Sequence, residues 1–133
     1  DALIMSAAVS DFKVVNAAEN KIHKDQISQL FLSTNEDILN SIGQIKKSNQ
    51  VTVGFAAETE SSDKQMIAAA SAKIEKKNLD LIYVNDVSNG QIFGSDETSG
   101  YILDRSGDVT EIPLISKDTL SDILLDQILV KLG

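Results

Sequence analysis

The chain contains no cysteine and no tryptophan, and only one proline, one histidine and one arginine. Without cysteine there is no disulfide, no thiolate metal ligand and no cysteine nucleophile, which fits a reducing compartment such as the cytoplasm. A lone histidine, His23, cannot build a multi-histidine metal site. No apolar run approaches the roughly 18 to 20 residues that cross a bilayer, so no membrane partner is expected. No signal peptide is visible, although a missing N-terminus would hide one. A single arginine, eleven lysines and a formal net charge of −8 leave no basic stripe, so nucleic acid is not an expected partner either. The phosphate-binding P-loop, the Gly-x-Gly-x-x-Gly fingerprint and the nucleophile elbow are all absent from the sequence.

What is present is an ordinary globular composition, 42% hydrophobic and 24% charged, in 133 residues. That length suits one domain with a real core. The chain opens directly on an apolar strand, residues 2–7, with no polar lead-in. A buried strand with nothing before it suggests a start inside a domain. Residues 8–25 carry no steady period and read as a long loop, while 27–32 give a moderate strand signal.

Asn35 is expected to cap a helix whose first turn holds Glu36 and Asp37 and whose apolar face carries Ile38, Leu39, Ile42 and Ile45. Residues 51–57 form a second apolar strand. Ser62 and Gln65 have capping-box form and open a helix with Met66, Ile67, Ala70 and Ile74 inward, ending near Lys77. Residues 80–84 are a third buried strand, followed by a Gly/Ser/Asn/Asp-rich loop over 87–99. A hairpin of 101–104 with 109–113 turns at Ser106-Gly107. Ser116 caps a last helix with Leu120, Ile123, Leu124, Ile128 and Leu132 on one side. The strand–helix alternation predicts an α/β fold: a Rossmann-like three-layer α/β/α arrangement with a mainly parallel sheet and a C-terminal antiparallel hairpin. Ligands of such sheets bind at the carboxyl ends of the strands, here Ser6-Ala7, Phe55-Ala56-Ala57 and Asn85-Asp86.

Several residues near those ends have two readings each. Lys21 and Lys24 are either solvated lysines or the tip of a flap that meets phosphates. Lys73 and Lys77, four apart on one helix, are either a solvated face or a pair that an anion would bridge. Asp11 is either a turn former or a ligand to a metal ion or a ribose hydroxyl. Phe55 is either core or an aromatic wall for a base, given room by Gly54, Ala56 and Ala57. Glu58 and Glu60 lack a second group that would mark an acid–base pair.

Taken in order, Ser6-Ala-Ala-Val-Ser-Asp-Phe12, Lys21-Ile-His-Lys24, Asn35-Glu-Asp-Ile38, Gly54-Phe-Ala-Ala-Glu-Thr59, Lys77-Asn-Leu-Asp80, Asn85-Asp-Val87 and Phe93-Gly-Ser-Asp96 make a specific series. It resembles bacterial phosphopantothenate–cysteine ligase, the second activity of the bifunctional coenzyme A biosynthesis protein, over essentially the whole chain. The resemblance implies a ligase with CTP as co-substrate and Mg²⁺ as cofactor. It joins 4′-phosphopantothenate to L-cysteine through an acyl-cytidylate, in a homodimer formed by the loop 8–25 and the strand after it. A phosphopantothenoylcysteine decarboxylase would be fused upstream or encoded separately.

Carried over by position, Met5, Ser6, Ala7, Asp11, Glu36, Asp37, Ile38, Leu39, Phe55, Lys73 and Lys77 would bind the nucleotide, with Asp11 reaching Mg²⁺ on the triphosphate. Lys21 would be the catalytic flap lysine and also contact the nucleotide. The chain departs from the family at Glu36, where proline is common, at His23 in the flap, and at Glu97-Thr98, so that last loop receives no site. The family's opening strand, glycine-bearing turn and asparagine have no counterpart here. Residues 1–133 are therefore expected to be the C-terminal part of one ligase domain, inactive alone. The competing expectations are a non-catalytic Rossmann-like nucleotide- or flavin-binding module and a dimerisation module.

Overall fold

The computed structural model describes residues 1–23, 29–59, 62–87 and 94–133. Its elements are β1 (Ala2–Met5), β2 (Phe12–Val14), β3 (Leu32–Thr34), α1 (Ile38–Ile45), β4 (Val51–Glu58), α2 (Asp63–Lys77), β5 (Leu81–Asp86), β6 (Glu97–Asp104), β7 (Val109–Ser116) and α3 (Lys117–Leu132). They fall into two units. One comprises Asp1–Ser6 with Leu39–Gly133, and the other Ala7–Ile38.

The larger unit is built on a five-stranded sheet of order β1-β4-β5-β6-β7. β1, β4 and β5 run parallel, with Met5 opposite Gly54 and Val53 opposite Leu81. β6 and β7 add two antiparallel ladders. β5 and the first half of β4 are apolar on both faces because both faces are covered, whereas β1, expected as a buried strand, is the outer strand of the sheet and leaves Ala2 and Ile4 exposed. Ile82 and Val84 join Leu39 of α1 and Met66, Ala70 and Ile74 of α2 in one core. Leu81 and Tyr83 join Leu120, Leu124 and Ile128 of α3 in the other. The alternating side-chain directions of β5 thus feed two helical layers, and the fold is Rossmann-like, α/β/α, with a parallel core.

Local chemistry explains the boundaries. The Ser62 hydroxyl accepts from the Gln65 backbone N–H at 3.4 Å and starts α2, which ends at Asn78 in the left-handed region (φ 55°). The Ser116 hydroxyl accepts from the Thr119 N–H at 3.1 Å and starts α3. Pro113 sits in β7, an edge strand, where its missing N–H costs no ladder bond on the open side. At the start of β4 and β5, the Asp80 carboxylate accepts from the Thr52 N–H (2.7 Å), the Thr52 hydroxyl (3.0 Å) and the Lys46 ammonium. Burial alone would raise the Asp80 carboxyl; those hydrogen bonds outweigh it and hold the group below the usual carboxylate range.

The smaller unit differs most from the sequence expectation. Phe12–Val14 lies inside the expected loop 8–25 yet forms β2, pairing antiparallel with β3. Three residues are too few to show a period, and the partner lies about twenty residues away in sequence. Of the strand expected over 27–32, residues 27 and 28 lie outside the described residues, and only Leu32 belongs to β3. Asn35 does not open α1. Its side-chain amide donates to the Ser10 carbonyl at 2.8 Å and its backbone N–H to the Asp11 carbonyl, also at 2.8 Å. α1 begins at Ile38, so Glu36 and Asp37 precede its first turn. In the larger unit, β1 ends at Met5 rather than at residue 7. β6 begins at Glu97, inside the expected loop, because Glu97 and Thr98 pair with Ser116 and Ile115 of β7.

Candidate functional site

At the carboxyl ends of β1, β4 and β5 a cavity of about 570 Å³ opens against α3. That volume lies in the range of small-molecule sites. Ser6, Phe55, Ala57 and Asn85 line it from the strand side, and Lys117, Leu120, Ser121 and Leu124 from α3. Phe55 is 37% exposed, although Gly54 before it and Ala56 after it are buried. The two-residue period of β4 sends Phe55 and Ala57 toward the cavity and Ala56 into the opposite core. Gly54 keeps β4 slim: a Cβ there would meet Leu79 Cδ1 at 2.8 Å.

The Phe55 ring stands edge-on to Tyr83, with centroids 6.1 Å apart and an interplanar angle of 67°. The Tyr83 hydroxyl lies 2.7 Å from the Thr98 hydroxyl. Burial pushes the Tyr83 phenol above its ordinary value, and the Thr98 hydrogen bond acts against it. Tyr83 is thus a neutral, oriented wall. The cavity combines an aromatic edge and an apolar helix face with hydroxyls, an amide and one ammonium, which suits a ligand with a flat or apolar body and polar substituents.

The other face of the sheet holds a second set. Glu58, the last residue of β4, carries a carboxylate that accepts from the Lys73 ammonium of α2. Met5 packs against the core beneath α2, and Leu39 is buried in it, so Leu39 offers a ligand only its backbone. Lys77 lies in the last turn of α2. Of the residues expected to bind nucleotide, the structure therefore gathers Ser6 and Phe55 in the cavity, and sets Met5, Leu39, Lys73 and Lys77 on the α1 and α2 side.

Ala7, Asp11, Lys21, Glu36, Asp37 and Ile38 belong to the smaller unit. Lys21 lies in an exposed stretch without regular structure, and Asp11 is exposed beside β2. The Ala7 carbonyl accepts from the Val9 N–H at 3.0 Å. Lys24, Glu60 and Phe93 lie outside the described residues.

Sequence reasoning missed Tyr83, Thr98, Lys117 and Ser121 as cavity residues, and gave Glu58 no partner. Tyr83 and Thr98 carry no motif; only strand pairing brings them together. Lys117 did leave a signal, since a lysine in the first turn of a helix opposes the helix dipole.

Comparison with known proteins agrees with this architecture. A coenzyme A biosynthesis bifunctional protein CoaBC from Haemophilus influenzae is 42% identical over 125 residues, covering 92% of this chain and 30% of that protein. The protein of the same name from Bacillus subtilis is 39% identical over 130 residues, covering 96% of this chain and 31% of that protein. The chain thus spans about a third of the length of these relatives. The crystal structure of the C-terminal domain of a CoaBC protein superposes with a TM-score of 0.69 at 28% identity, covering 96% of this chain and 53% of that one. The family model described as DNA/pantothenate metabolism flavoprotein, C-terminal domain, matches residues 1–132, and the chain belongs to that family.

Proposed function

We propose that this chain is the C-terminal part of a phosphopantothenate–cysteine ligase domain in coenzyme A biosynthesis. In this reading the carboxylate of 4′-phosphopantothenate attacks the α-phosphorus of CTP. The bond to pyrophosphate breaks and an acyl-cytidylate forms. The amine of L-cysteine then attacks the acyl carbon, the C–N bond forms, and CMP leaves with the electron pair of the cleaved C–O bond. The observation that carries the reading is the family match over residues 1–132, which runs through every segment given a role here.

Lys21 is the catalytic residue of the proposal. Its ammonium offsets charge that develops on the α-phosphate and on the acyl-phosphate oxygens. Ser6 and Ala7 offer backbone groups at the end of β1, and Phe55 an aromatic edge. Met5, Asp11, Glu36, Asp37, Ile38 and Leu39 complete the nucleotide contacts, with Lys73 and Lys77 meeting phosphate. Among the described residues no group of three or more histidines or carboxylates is arranged to hold a metal ion. In this reading the exposed Asp11 would reach Mg²⁺ that arrives coordinated to the triphosphate, the usual habit of that ion. When bound, Mg²⁺ supplies charge neutralisation at the phosphates.

The protein would act as a cytoplasmic homodimer, with phosphopantothenoylcysteine decarboxylase fused to it or encoded separately. Residues 1–133 alone would lack ligase activity. The test is pyrophosphate release by the full-length protein supplied with CTP, 4′-phosphopantothenate and L-cysteine. Release that requires the first two, with product formation that requires cysteine, supports the ligase. Nucleotide or flavin binding without turnover would instead identify a non-catalytic module.

A further inference from the structure

The Glu58–Lys73 pair joins a largely buried carboxylate at the end of a strand to a more exposed cation on a helix. Glu58 is the last residue of β4, opposite Asp86 in the parallel ladder, and its carbonyl accepts from the Val87 N–H at 2.9 Å. Its side chain is only 14% exposed, whereas that of Lys73 is 40% exposed. The Glu58 backbone is therefore held by the sheet and its side chain is largely buried, while the Lys73 side chain that bonds to it keeps contact with solvent. An ammonium has three donors, so one bond to Glu58 leaves others for an anion. β4 ends at Glu58, and ligands of parallel sheets bind beyond such carboxyl ends. The pair thus brings a charge carried on a helix to the end of a strand.

We propose that Glu58 is a positioning residue: it holds the Lys73 ammonium at the carboxyl end of β4, ready to meet a phosphate of the nucleoside triphosphate. The inference rests on the nucleotide-binding role given to Lys73 above. A free lysine side chain samples many rotamers, and ordering it on binding costs about as much as a tenfold loss of affinity. Glu58 meets that cost in advance. Charge alone argues the opposite sign, because deleting a carboxylate beside a polyanion site strengthens binding. The direction of the effect therefore separates positioning from bulk electrostatics.

The test is steady-state kinetics of the full-length protein with CTP as varied substrate, using Glu58→Gln, Glu58→Ala, Lys73→Ala and the Glu58→Ala/Lys73→Ala double variant, with thermal melting of each. We expect Glu58→Ala to raise the KM for CTP about tenfold with kcat within about twofold. Glu58→Gln, which keeps an acceptor oxygen without the charge, should fall between it and the parent. In the Lys73→Ala background the Glu58→Ala change should have no further effect on KM. An unchanged or lower KM in both Glu58 variants, or an equal rise with and without Lys73, overturns the inference while leaving the role of Lys73 intact. A normal KM in Lys73→Ala overturns both. Should Glu58→Ala fold poorly, the nearly isosteric Glu58→Gln decides on the same KM criterion, alone and combined with Lys73→Ala.

Discussion

The Tyr83 and Thr98 hydroxyls lie 2.7 Å apart in the buried space beside β5, and each is the other's partner. Thr98 is 3% exposed and Tyr83 equally buried. Removing one hydroxyl strands the other away from water. Tyr83→Phe should therefore destabilise the fold by about 1 to 2 kcal/mol. The Tyr83→Phe/Thr98→Val pair should cost less than the sum of the single changes. Urea denaturation of the four proteins checks this, and simple additivity would refute the pairing.

Gly43 of α1 lies directly against the C-terminal end of α2. A Cβ on Gly43 would stand 1.9 Å from the Lys77 carbonyl oxygen, and that obstacle is backbone, with no rotamer to escape into. The Asn78 amide also donates to the Gly43 carbonyl, at 2.5 Å. Gly43→Ala should lower stability by about 2 to 3 kcal/mol or more despite alanine's better helix propensity. A melting temperature equal to that of the parent would show that the two helices are not held this closely.

Acid should weaken the fold at two carboxylates. Burial alone would raise Asp104, but hydrogen bonds from Ser106, Lys131 and the Asp108 N–H outweigh it and hold the group at about 2. Asp80 is lowered as well. Because the folded values lie below the unfolded ones, the stability is fully present above the unfolded carboxylate value, near 3.9. It is lost as pH falls through the folded value, about 2 for Asp104. For Asp104, partly solvated, the loss is on the order of 1 kcal/mol. Chemical denaturation between those limits should show a shallower pH slope in Asp104→Asn than in the parent. Equal slopes would exclude Asp104 from the acid transition.

Lys21 is the residue whose loss should be felt in chemistry rather than folding. It lies in an exposed stretch, so Lys21→Ala should leave the melting temperature unchanged. In the full-length protein it should lower kcat by roughly 100-fold or more, the scale of losing one group that stabilises transition-state charge. Normal turnover with intact folding would remove Lys21 from the mechanism.

Phe55 tests the cavity. Phe55→Leu keeps an apolar side chain at its mouth but removes the aromatic edge, and should raise the KM for CTP several-fold with little change in stability, since Phe55 is already 37% exposed. A selective effect on the KM for cysteine instead would reassign the cavity.

Strands with both faces buried were plain in the sequence, because a parallel sheet covered on two sides demands continuous apolar runs such as Leu81–Val84. Helix starts at Ser62 and Ser116 were equally plain, because a hydroxyl cap is a local event spanning three residues. β2 and the start of β6 were not, because short polar or mixed strands exist only through partners far along the chain. Asn35 misled for the same reason: its amide is spent on Ser10, a contact no local pattern announces.

The family and the order of its motifs were thus determined by sequence alone, as were the apolar faces that make an α/β/α sandwich, since these depend on residue type and near spacing. Only the tertiary structure decided that Phe55 and Ser6 share a cavity with α3 while Lys73 is drawn to Glu58 on the opposite face. The reason is geometric. Neighbouring residues of a strand point to opposite sides of the sheet, and which helix covers each side is settled by packing between distant segments.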